Sequence, residues 1–118
     1  MSILFLEYPK CSTCKKAKSF LTENNIAFTD RHIVEDNPTA AELKEWFAKS
    51  GLPLKRFFNT SGNVYKELKL KDKLPDMTED EQFALLSQNG MLVKRPLVVG
   101  DDFVLTGFKE EEWKEKLL

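Results

Sequence analysis

Apolar residues open the chain as an unbroken run from Ile3 to Leu6, with Pro9 close behind, a pattern that predicts a short buried strand. From Ser12 the period becomes helical: Ala17, Phe20 and Leu21 share one face, and Lys15, Lys16 and Lys18 lie on the other. Asn24-Asn25 ends that helix, and Ala27 to Val34 reads as a second strand. A right-handed crossover makes the two strands parallel.

Thr39 and Glu42 carry the spacing of a capping box, which predicts a helix with Leu43, Trp46 and Phe47 as its buried stripe and Gly51 beyond its end. Two short helical patterns follow, around Leu54–Phe58 and Val64–Leu70, separated by the loop Asn59-Thr60-Ser61-Gly62. Thr78 and Glu81 repeat the capping box; Phe83, Leu86 and Leu85 face inward, and Asn89-Gly90 closes that helix. Pro96 to Val99 and Phe103 to Leu105 read as two strands joined by a tight turn at Gly100-Asp101-Asp102. Lys109 to Leu118 reads as a terminal helix whose first-turn glutamates suit the helix dipole, with Trp113 and Leu117 on one face. The order is β-α-β, a helical insertion over roughly residues 36–92, then β-β-α. It predicts an α/β, thioredoxin-like fold: a four-stranded mixed sheet with helices on its faces, in one domain over residues 1–118.

Composition narrows the function classes. Eighteen basic residues against 19 acidic ones leave a net charge of -1, without the basic footprint of a nucleic-acid binder. No apolar run approaches the roughly 18 residues that span a bilayer, and the N-terminus lacks the basic leader of a signal peptide. The expected location is the cytoplasm, where thiols stay reduced. There, two cysteines three positions apart point to redox chemistry or metal binding rather than to a structural staple.

Cys11-Ser12-Thr13-Cys14 falls between a strand and a helix, with Cys11 at the helix entrance. Unsatisfied N–H groups and a partial positive charge gather there, which favours a thiolate. Lys10 and Lys15 add nearby positive charge. Cys14 lies almost one turn on, so the two sulfurs share a side of the helix start: Cys11 as nucleophile, Cys14 to resolve a mixed disulfide. A zinc site needs four ligands, and the other candidate is His32, so no metal is expected. His32 itself reads as a strand-face residue. Arg95-Pro96 precedes an apolar strand, and its cation reaches the thiolate if the fold brings strand start and helix start together.

The Pro-Lys-Cys helix opening, the segment Lys94-Arg95-Pro96-Leu97-Val98-Val99 and the ending Gly107-Phe108-Lys109-Glu110-Glu111 resemble the arsenate reductase/Spx family over nearly the whole chain. The resemblance implies a thioredoxin-like fold with a helical insertion, a cis proline at Pro96 facing the active cysteine, and Arg95 beside it. It implies no bound cofactor, and thioredoxin, glutaredoxin or glutathione as reductant. Catalytic roles fall to Cys11, Cys14 and Arg95, with Lys10, Ser12, Thr13, Asn59 and Pro96 binding substrate or shaping the site. Glutaredoxin-linked arsenate reductases of the family bind their oxyanion with three arginines, of which Arg95 alone is kept. The second falls near Asn59 and the third near Gly107, with Lys10, Lys55 and Arg56 as candidate replacements. Losing charge-assisted donors weakens binding of a dianion, so efficient arsenate reduction is not expected. The Spx branch binds the α-subunit of RNA polymerase and switches through Cys-x-x-Cys. Cys11, Cys14, Arg95 and Gly51 match it, while Ser61 replaces an arginine of that branch. A thiol–disulfide oxidoreductase is the first reading, and a redox-sensing regulator the alternative.

Overall fold

The computed structural model describes residues 3–118. Four strands form one mixed sheet in the order β2-β1-β3-β4. Strand β1 (Ile3–Glu7) leads into helix α1 (Ser12–Glu23), and β2 (Phe28–His32) returns parallel to β1. Strands β3 (Leu97–Val99) and β4 (Val104–Thr106) form an antiparallel hairpin, with β3 running antiparallel to β1. Helix α6 (Glu110–Leu117) closes the chain. This is the thioredoxin-like arrangement expected from the pattern.

Strands β1, β3 and β4 are buried on both faces, while β2 at the edge is partly exposed. Ile3, Phe5, Val98 and Leu105 meet α1 and α6 through Ala17, Phe20, Leu21 and Trp113. Trp113 is fully buried, and Phe5, Phe20 and Phe108 approach it edge-on with ring centroids 6.4, 6.0 and 4.8 Å away. On the opposite face Leu6, Leu97, Val99 and Val104 pack against the insertion. That insertion contains α2 (Ala40–Ser50), a 3₁₀ turn at Leu54–Phe57, the short helices α3 (Asn63–Glu67) and α4 (Leu70–Lys73), and α5 (Glu79–Gln88). Both capping boxes form: Thr39 and Thr78 accept from the backbone N–H of Glu42 and Glu81, whose carboxylates accept from the threonine N–H groups. Among the described residues no helix is long and apolar enough to cross a membrane.

Several boundaries depart from the sequence pattern by a residue or more, three of them for a local reason that the structure shows. Strand β2 ends at His32 rather than Val34, because the His32 Nδ1 accepts the N–H groups of Val34 and Glu35 and turns the chain. The helical pattern at residues 64–70 breaks at Lys69, which adopts a left-handed φ of 54°. Strand β4 starts one residue late, since Phe103 is spent on the turn, its carbonyl accepting from Gly100 N–H.

Candidate active site

The cysteine pair stands where β1 hands over to α1. The Cys11 N–H donates to the Tyr8 carbonyl at 2.9 Å, turning the chain so that Cys11 becomes the N-cap of α1. The capping group is then a sulfur: Cys11 Sγ accepts the Cys14 N–H at 3.3 Å. Cys14 is fully buried, Cys11 is partly exposed, and both are free thiols.

Their electrostatics diverge. Burial opposes ionisation of Cys11, but the thiol and backbone N–H of Cys14, with the Arg95 charge beside them, outweigh it and hold its pKa below the usual thiol value. Burial, reinforced by donation of its proton to Cys11, pushes Cys14 up to about 12. Of the two, the outer sulfur is therefore the one that ionises first, while the inner one keeps its proton.

Arg95 comes from the other end of the chain. The Arg95-Pro96 peptide is cis, as the resemblance implied, and opens directly onto β3. The Arg95 Cζ lies 5.3 Å from the centroid of the Tyr8 ring, and its Nε and Nη1 are buried without a hydrogen-bond partner. A neighbouring crossing brings in Asn59. Lys94 N–H donates to the Phe57 carbonyl, Asn59 N–H donates to the Leu92 carbonyl, and Phe58 bridges Val93. The loop that follows is tight: a Cβ on Gly62 would stand 2.6 Å from Asn59 Nδ2, so glycine leaves the amide its space.

These contributions meet in a cavity of about 630 Å³ lined by Cys11, Thr13, Asn59, Arg95 and Thr106, with Arg56, Lys94 and Lys109 supplying further charge. Of the residues singled out from sequence, Cys11, Thr13, Asn59 and Arg95 lie together at the cavity. Cys14 sits beneath them, and Pro96 sets the start of β3 beside them. Lys10 and Ser12 are exposed and outside the lining, as is Lys55, while Arg56 is among the lining residues. Sequence reasoning did not single out Tyr8, Lys94, Thr106 or Lys109 as site residues. Lys94 and Lys109 stand inside the segments that carry the family resemblance but had no role assigned there, and Tyr8 and Thr106 carry no chemical signal in the sequence. His32 has partners that the sequence did not suggest, two backbone N–H groups and the edge of Tyr8, and it faces Tyr8 rather than the thiols.

The fold, with a cysteine pair at the helix start and a cis proline opening β3, places the chain in the thioredoxin-like class. The sequence model of the ArsC family matches residues 6–116, and the chain belongs to that family. It is 52% identical to YusI of Bacillus subtilis over 115 residues, covering 98% of each chain. It is 28% identical over 105 residues to the global transcriptional regulator Spx of Staphylococcus epidermidis, covering 88% of this chain and 78% of Spx. Among solved structures, a putative ArsC family related protein from Bacteroides fragilis shares 68% identity with a TM-score of 0.93, covering 98% of this chain and 97% of that one.

Proposed function

We propose that this chain is a thiol–disulfide oxidoreductase acting in the cytoplasm. The observation that carries the reading is the Cys11 sulfur at the α1 N-cap, accepting the Cys14 N–H with Arg95 beside it. Cys11 thiolate attacks one sulfur of a disulfide, forming a mixed disulfide and releasing a thiolate. Cys14 then loses its proton and attacks the Cys11 sulfur, closing the Cys11–Cys14 disulfide and releasing the second thiolate. Once Cys11 is in the mixed disulfide it no longer draws on the Cys14 proton, which removes one cause of the high Cys14 pKa. Burial remains, so resolution is the slow step. Thioredoxin, glutaredoxin or glutathione returns the pair to the dithiol. Arsenate fits less well, because Asn59 and Gly107 stand where two oxyanion-binding arginines are expected, and the lysines nearby are mobile point charges rather than fixed forks. Trapping on a Cys14→Ser variant tests the reading: a mixed disulfide through Cys11 supports it, and the absence of any adduct after exposure to disulfides contradicts it.

The likeness to Spx, together with the retained cysteine pair, favours one second reading, a redox-sensing regulator that binds the RNA polymerase α-subunit. A pull-down of the polymerase α-subunit with the reduced and the oxidised protein separates the two. Binding that changes with the redox state supports the regulator.

A further inference from the structure

The cavity over Cys11 is lined by four cations, Arg56, Lys94, Arg95 and Lys109, and by no acidic side chain. None of the four forms an ion pair among the described residues. Lys94 reaches it through Gly107. That glycine has a φ of 72°, and a Cβ placed on it would stand 3.1 Å from Lys94 Cε. The Lys94 side chain thus occupies the space that a side chain at position 107 would claim. Gly107 is pinned there, its N–H donating to the Pro96 carbonyl and its carbonyl accepting from the buried Trp113 Nε1. A second, independent feature is the Thr106 hydroxyl. Thr106 is 5% exposed, lines the cavity, and its Oγ1 has no hydrogen-bond partner. Nε and Nη1 of Arg95, which lines the same cavity, are also buried and unpaired, and folded proteins rarely leave such atoms without a partner.

Resting on the thiol–disulfide reading above, we propose that this cavity takes a small disulfide bearing carboxylate groups, held by Lys94 with Arg56 and Lys109, while Cys11 attacks its sulfur. The volume suits a small molecule rather than a folded protein's surface. Lys94 and Lys109 present single ammonium groups, which match singly charged carboxylates, and Arg56 adds a further positive charge. The balance is that of exchange. Cys11 thiolate forms an S–S bond with the attacked sulfur, and the substrate S–S bond breaks as one carboxylated thiolate departs. Cys14 then gives up its proton to solvent and displaces the second carboxylated thiolate. The protein dithiol is oxidised by two electrons and the substrate disulfide is reduced by two.

The test uses three probes of similar size: 3,3′-dithiodipropionate, 2-hydroxyethyl disulfide and cystamine, which are anionic, neutral and cationic. Each is mixed with the reduced full-length protein, and loss of the Cys11 thiol is followed by stopped flow. Every rate is divided by that of a free alkyl thiolate with the same probe, which removes leaving-group differences. The expected normalised rate is at least about tenfold higher for the anionic probe than for the neutral one at low ionic strength. That preference falls as salt is added. In Lys94→Gln the anionic-to-neutral ratio drops several-fold, whereas Lys71→Gln, remote from the cavity, keeps it. Equal normalised rates for the three probes, or a faster cationic probe, overturn the inference while leaving thiol–disulfide exchange in place. No reaction with any probe overturns the exchange reading and the inference together. An unchanged ratio in Lys94→Gln overturns the role of Lys94. Should that variant not fold, a salt-independent ratio in the unsubstituted protein overturns the electrostatic recognition.

Discussion

The guanidinium of Arg95 lies over the ring of Tyr8, 5.3 Å from its centroid, joining the residue before the cis proline to the turn that presents Cys11. Tyr8 is itself braced, edge-on, by His32 with ring centroids 5.8 Å apart. The ring face attracts the cation and limits where it can swing, which keeps its charge near the thiolate. Tyr8 is a positioning residue: it acts on Cys11 through Arg95. Tyr8→Leu should raise the Cys11 pKa, read from the pH dependence of alkylation in a Cys14→Ser background, and Tyr8→Phe should restore it. An identical titration for Tyr8→Leu and the unsubstituted protein would remove Tyr8 from the site.

The divergence of the two thiols predicts a strict order of modification. At pH 8 a limiting alkylating agent should label Cys11 first, with Cys14 at least about tenfold slower, because the thiolate is the nucleophile. In Cys11→Ser the remaining thiol should stay slow, since burial persists without its partner. Peptide mapping after brief labelling reads the order, and equal labelling would contradict the assignment of roles.

Two carboxyl groups outside the cavity set opposite pH responses. Glu7, buried beneath α1 beside Asp30, is pushed up to about 7 by that burial and then by Asp30, with Lys18 Nζ 3.4 Å away only partly offsetting them. The folded state holds this proton more tightly than the unfolded chain, so stability falls as pH rises from about 4.5 through 7. Glu7→Gln should flatten that fall, so that its Tm at pH 8 gains on that of the unsubstituted protein relative to pH 5. Glu42 runs the other way. Arg31 grips its two oxygens at 2.8 and 2.9 Å and holds it at about 2. Its contribution is present above pH 4.5 and is lost as pH drops towards 2. Because Glu42 is about one-third exposed, Glu42→Gln should cost no more than about 1 kcal/mol at pH 7. Thermal melts across this range check both signs.

Arsenate gives a separate check. One missing oxyanion donor commonly costs about 10²–10³ in rate, and two of the three expected arginine positions are Asn59 and Gly107. Arsenate-dependent NADPH oxidation, coupled through glutathione and glutaredoxin or through thioredoxin, should therefore be absent or slower by orders of magnitude than in a dedicated reductase. Robust turnover that disappears in both Cys11→Ser and Arg95→Ala would make the cavity an arsenate site.

Much of the scaffold is legible in the sequence because its signals are local. The capping boxes at Thr39/Glu42 and Thr78/Glu81 form as their spacing predicts, and the Ile3–Leu6 run is the strand that feeds the cysteine turn. Boundaries governed by a side chain folding back, as at His32, or by a single left-handed residue, as at Lys69, escape periodicity. The site divides in the same way. Cys11 and Cys14 are neighbours in the chain and carry their chemistry in their spacing. Lys94 becomes a site residue only because Gly107, thirteen positions later, leaves it room. Thr106 lines the cavity from the end of β4, paired with Leu97 next to Pro96, a juxtaposition made by the hairpin and not by any local pattern.

The central claim is that Cys11 attacks and Cys14 resolves. Intact-mass measurement of the protein after oxidation by a stoichiometric small disulfide, followed by alkylation, tests it most directly. The account predicts a species lighter by two hydrogens with both thiols protected, reversed by dithiothreitol, and a persistent Cys11 adduct in Cys14→Ser. A stable adduct or a sulfinic acid on Cys11, with Cys14 still free to be alkylated after unfolding, would contradict it.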